Sequence, residues 1–179
     1  MIRVLFFVLA VSILASRSIA SNDNTDLKLL RKKLILAIDN PNTADSLYSA
    51  LSMQKPTPLT TAYIGVLGAL KAKHAWNPYS KIKYLNVSEK MMQKAVVGDP
   101  RNIEIRFMRF SIQNNVPGFL GYGKDLISDR EVMIDQLDHH NYGTADRELT
   151  VSIIKFLLES KRCSAPENDK LRQQLIAIQ

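Results

Sequence analysis

Asn86–Asn102, NVSEKMMQKAVVGDPRN, is the stretch from which the fold can be read. Leu85, Ser88, Met92, Ala95 and Val96 recur at three- and four-residue spacing, so they lie along one face of a helix. Lys90, Gln93 and Lys94 fall on the other side. Gly98 follows the last periodic residue, where a helix commonly reverses into a left-handed cap. Asp99-Pro100 blocks continuation, because proline pushes the residue before it out of the helical region. Asn102 then stands where its side-chain oxygen can cap a following helix, Ile103–Asn114. With a further helix over Thr60–Lys73, the stretch Thr60–Asn114 reads as helix, turn, helix, Asp-Pro stop, helix.

Ser88-x-x-x-Met92-x-x-Ala95 followed by Asp99-Pro100-Arg101-Asn102 resembles the second half of a tetratricopeptide (TPR) motif. That motif has a small residue, a large apolar one, an alanine, and a proline closing the turn. Leu67-Gly68 is similar to the Leu-Gly pair of the motif's first helix, where glycine permits close helix contact. The interval from Gly68 to Ser88 is about eight residues longer than usual, and the excess is assigned to a turn over His74–Ser80. One divergent repeat around residues 60–102 carries the resemblance. It implies an antiparallel helix pair and a protein that binds other proteins.

Working outward to the start, Arg3 makes a positive n-region, Val4–Ala15 an apolar h-region, and Ser18-Ile19-Ala20 supplies small residues for cleavage before Ser21. Residues 1–20 are therefore expected to be a cleaved signal peptide. The apolar run is short for a transmembrane helix, and no cysteine stands at the cleavage point for lipid attachment. The expectation is an exported chain, periplasmic or secreted and soluble, with no lipid anchor and no stable membrane insertion after cleavage. Residues 21–179 then form one domain, within the usual size range for a single core. Cys163 is the single cysteine of the 179 residues, so no internal disulfide can form and stability must come from the core. The formal net charge is +7. The charges are dispersed and read mainly as solvated helix faces, although a basic balance favours an anionic surface or an acidic partner.

The remaining chain is a succession of helices. Asp26–Ile38 carries Leu27, Leu30, Leu34 and Ile38 on one side, and Asn40-Pro41 stops it. Thr43–Met53 follows, then a stiff connection with Pro56 and Pro58. Beyond Asn114, helical spacing resumes over Lys124–Leu137. Thr144 or Asp146 can cap a helix running through Leu158, and Glu167–Ile178 is the last helix. The fold class is therefore all-α: about eight helices as stacked antiparallel hairpins, either a TPR-like superhelix or a compact bundle.

Chemistry is sparse. The loop Asn114–Lys124, NNVPGFLGYGK, combines Pro117 and three glycines with Phe119, Leu120 and Tyr122. Glycines let backbone amides approach an anion and aromatics give stacking area. The preferred reading is an inter-helix connection whose aromatics fold back into the core. Glu131, Asp135 and His139 are spaced for one helix face, with His140 adjacent, but no HExxH or cysteine pair makes them a metal site, and histidine is common at helix C-termini. Cys163 lies beside Lys161 and Arg162, which can lower a thiol pKa, yet no histidine is near it in sequence. No serine sits in a nucleophile elbow, and the basic clusters lack an aromatic platform for nucleic acid.

The sequence therefore points to a binding or scaffold protein of the cell envelope, without catalytic activity or cofactor, that holds a protein or peptide. Tyr63, Arg106 and Arg109 are its candidate groove contacts, the arginines pairing with a carboxylate. Trp76, with Tyr79, is a candidate hot spot, and Phe119 and Tyr122 complete the set. The alternatives are a small-ligand or metal-dependent enzyme using loop 117–123 and the 131–140 Asp/His cluster, or self-association through the terminal helices.

Overall fold

A computed structural model describes residues 19–178 of the chain, with side chains described from Asp26 onward. Among the described residues the structure is all-α, with eight helices: α1 (Ile19–Ala37), α2 (Pro41–Ser52), α3 (Pro58–His74), α4 (Pro78–Gly98), α5 (Ile103–Asn115), α6 (Leu126–Asp138), α7 (Arg147–Glu159) and α8 (Ala165–Ile178). A single 3₁₀ turn, Gly118–Leu120, lies between α5 and α6. The expected signal peptide lies outside the described residues except for Ile19 and Ala20, which begin α1. No helix among the described residues is long and apolar enough to cross a membrane.

Polar caps followed by proline set three of the helix starts. Asn40 accepts from the backbone of Asn42 and Thr43, Thr57 forms a capping box with Thr60, and Asn77 accepts from Ser80; Pro41, Pro58 and Pro78 follow at the first helical position. Proline fits there because its missing N–H has no intrahelical partner and its φ is already helical. Asn40-Pro41 is thus less a stop for α1 than the start of α2. Asn102 caps α5 through Glu104 and Ile105, as its sequence position suggests, and Asp146, rather than Thr144, caps α7 through Leu149.

Two expectations for the central stretch are corrected. The extra residues between Gly68 and Ser88 do not lengthen the turn. Only residues 75–77 separate α3 from α4, and the excess is helix, since α4 begins at Pro78. Gly98 is not a left-handed cap: it is the last residue of α4, and the chain leaves through Asp99 at φ −150°. Its missing side chain serves packing instead, because a Cβ would stand 2.9 Å from Pro58 Cγ. Gly68 backs onto Ser88 at the α3–α4 crossing, where a Cβ would lie 3.5 Å from the Ser88 backbone.

The apolar interior forms two clusters. The first joins α1–α5 through residues such as Leu51, Leu67, Met92 and Met108; the second joins α5–α8 through Phe110, Met133, Leu137, Ile153 and Leu157. Helix α5 belongs to both, giving Ile105 and Met108 to one and Ile103 and Phe110 to the other. Phe156 of α7 packs edge-on against Phe107 and Phe110, with centroids 5.5 and 6.1 Å apart.

Candidate functional site

Because α5 is enclosed on several sides, its polar side chains need partners inside the protein. Glu104 is buried, and its carboxylate accepts from Tyr63 Oη at 2.5 Å, Arg31 Nε at 3.0 Å, Arg31 Nη2 at 2.8 Å and Thr144 Oγ1 at 2.9 Å. Arg31 also reaches Asp146 at 3.2 Å and the Thr144 carbonyl. This cluster fastens α1, α3, α5 and the α6–α7 connection together. Burial, with the negative charge of Glu104, pushes the Tyr63 phenol up. Burial opposes the charged form of Arg31, but its bonds to Glu104 outweigh that effect and raise it.

A second buried carboxylate, Asp129 on α6, accepts from Arg106 Nη1 at 2.7 Å and from Arg109 at 2.7 and 2.6 Å. Arg109 Nη1 also donates to Gln93 at 3.0 Å. The bidentate fork fixes the α5–α6 packing. These two clusters correct the groove assignment. Tyr63 and Arg109 are interior, and Arg106 is mostly covered, with its guanidinium spent on Asp129 and the Pro100 carbonyl. Arg109 borders only a small cavity between α4 and α5, and replacing the arginines would remove packing ties.

The other candidates are at the surface. Trp76 is 98% exposed and Tyr79 80% exposed, both at the turn between α3 and α4. No described residue folds over them. Beside this turn is a groove of about 190 Å³ lined by Asp45, Lys71, His74, Ala75 and Tyr84. Lys71 pairs with Asp45 and holds its ammonium 5.1 Å from the Tyr48 ring centre and 5.4 Å from that of Tyr84. The hydrogen bond to Asp45 raises the Lys71 pKa against a desolvation effect that lowers it. The same turn abuts the end of α1, where Lys73 Nζ donates to the Ile38 carbonyl at 2.6 Å and His74 Nε2 to that of Ala37 at 3.2 Å.

Phe119 is 88% exposed, so it does not fold back into the core as the sequence suggested. Tyr122 is half-buried and donates to Asn86 of α4 at 2.7 Å. It roofs a cavity of about 20 Å³ between α4 and α5, room for about one water. Ser88, which lines it, has a buried hydroxyl without a hydrogen-bond partner.

Among the described residues, no group of histidine, cysteine and carboxylate side chains is arranged to hold a metal. Asp135 pairs with Arg101, and the His139 ring bonds the Asp135 carbonyl at 2.8 Å. Burial, and then Glu167, push the Cys163 thiol up, opposite to the effect expected from Lys161 and Arg162.

The tie residues Glu104 and Asp129 were not singled out in the sequence. One signal was available for Glu104: Phe107 and Met108 follow it at three- and four-residue spacing, which puts it on an apolar side of α5. Compared with known proteins, the chain matches no family model, no curated protein and no solved structure.

Proposed function

We propose that the protein is an exported, non-catalytic binding or scaffold protein that engages a protein or peptide of the cell envelope at the α3–α4 turn. The observation that carries this reading is the exposure of Trp76. A tryptophan costs on the order of several kcal/mol to leave in water relative to burial, judged by the 150–250 Å² that such a ring can cover. Trp and Tyr are also the side chains that most often dominate an interface. Tyr79 stands next to Trp76, and the Lys71–Asp45 groove beside them offers both signs of charge for the backbone or side chains of an extended peptide. The TPR-like reading is supported by the antiparallel α3–α4 pair and by Gly68 against Ser88. Export rests on the leader-like residues 1–20.

The test is a photo-crosslinking amino acid at position 76, with a second at exposed Lys155 on α7 as control. The expected result is one reproducible protein adduct at 76 and none at 155. With that partner purified, Trp76→Ala/Tyr79→Ala should weaken binding at least about thirtyfold, the scale of a hot-spot residue. Equal adducts at both sites, or unchanged affinity of the double variant, would reject this surface.

A further inference from the structure

We propose that the outward face of α1 docks reversibly on an anionic lipid surface. Leu27, Leu30, Leu34 and Ala37 turn that helix toward the first core cluster, and Arg31 turns inward to Glu104. Around the rest of the helix, Lys28, Leu29, Lys32, Lys33, Ile35 and Leu36 are all exposed, with Lys28 and Ile35 together on the edge next to Arg31. Leu29, Ile35 and Leu36 are 51%, 65% and 64% exposed. By helical spacing Leu29 and Leu36 lie together, seven residues apart, with Lys32 and Lys33 on their two flanks. No acidic residue occurs between Lys28 and Leu36. Lys28 reaches Asp146 at 3.8 Å, whereas Lys32 and Lys33 have no ion pair among the described residues.

Three large aliphatics interleaved with lysines are the composition of a helix lying in a membrane interface. There the aliphatics enter the acyl boundary while the lysine stems run along it and keep their ammonium groups in headgroup water. A protein partner fits this face less well. It would have to desolvate the lysines, and the face lacks the aromatic or arginine anchors of a protein hot spot. The affinity follows from charge complementarity and a modest apolar area, so docking is reversible and weakened by salt. Because the end of α1 abuts the Trp76 turn, docking would bring the partner-binding end near the bilayer. The lipid proposal stands whether or not that turn binds a partner.

The experiment is vesicle co-sedimentation of residues 21–179, a chain that retains the buried core residues among those described, which lie between Ala37 and Leu171. The vesicles are pure phosphatidylcholine or an equimolar mixture with phosphatidylglycerol. Binding is expected to the mixed vesicles and to fall with salt. Lys32→Glu/Lys33→Glu and Leu29→Ser/Leu36→Ser should each lower partitioning at least about tenfold with an unchanged Tm. Trp76→Ala/Tyr79→Ala should still bind. The proposal is overturned by no binding to the mixed vesicles, by equal binding to both compositions, by unchanged binding of the two α1 variants, or by loss confined to the Trp76/Tyr79 variant.

Discussion

Helix α5 and the turn between α3 and α4 handle their side chains in opposite ways. Around α5, charged groups lie inside: its own Glu104 and Asp129 of α6 are 1% and 0% exposed, each held by arginine. At the turn, the lone tryptophan and a tyrosine lie outside, with no apolar cover. A buried ion pair balances a large desolvation cost against its own attraction, so removing one partner is far more harmful than the pair is beneficial. An exposed aromatic carries little folding energy and leaves its apolar area available for contact. In these two places charge holds helices in register, while apolar surface is left open.

The harshest way to break that contrast is Asp129→Ala. It leaves the Arg109 guanidinium, 5% exposed, with only the longer contact to Asp125 at 3.5 Å as counter-charge, and should cost about 3 kcal/mol in urea unfolding. A loss below about 1 kcal/mol would mean that water reaches Arg109 and that the pair is not a packing tie.

A gentler probe is Tyr63→Phe, which takes one donor from Glu104 while Arg31 and Thr144 remain. It should cost about 1–2 kcal/mol. The same phenol gives a pH signature. Its pKa is raised in the folded state, so its contribution to stability is complete below the unfolded value of about 10 and is lost as pH rises beyond it. The native protein should therefore titrate one tyrosine only on alkaline unfolding, with phenolate absorbance tracking loss of helical circular dichroism. Tyr63→Phe should remove that late-titrating tyrosine. A full set of tyrosines titrating before unfolding would contradict the buried bond to Glu104.

The smallest stability effect belongs to the turn. Trp76→Ala should change unfolding free energy by less than about 0.5 kcal/mol, as at other exposed positions. A larger loss would show that the ring packs on the fold in solution, and would weaken its role as a contact surface.

Local chemistry explains which features were legible in the sequence. The caps at Asn102 and Asp146 could be read because a cap involves residues within one turn of each other. The apolar phase of α4 was readable for the same reason. The helices that begin at Pro41, Pro58 and Pro78, by contrast, start earlier than the spacing suggests, since proline reads as a stop as readily as a first helical residue. Arg106 and Arg109 were correctly placed on a helix but misread as groove residues, because their partner Asp129 lies on another helix. Glu104 meets Tyr63 and Arg31 at sequence separations of 41 and 73 residues. No local pattern announces such a pairing. The extra length between Gly68 and Ser88 was misplaced because Asn77-Pro78 looked like a turn, when it is a cap and the first residue of a helix. Trp76 and Tyr79 were noticed, but exposure is a property of what does not pack against them, and spacing cannot show it.

The sharing of α5 between the two apolar clusters has a consequence for motion. Neither half of the molecule can open while keeping its own wall intact, because each uses the same helix as that wall. The backbone amides of α5 should therefore exchange with solvent hydrogen only through whole-molecule opening, and most slowly of all. Those of α8, packed at the edge of one cluster, should exchange through local fraying. A protein built this way can loosen at its ends while its centre stays closed.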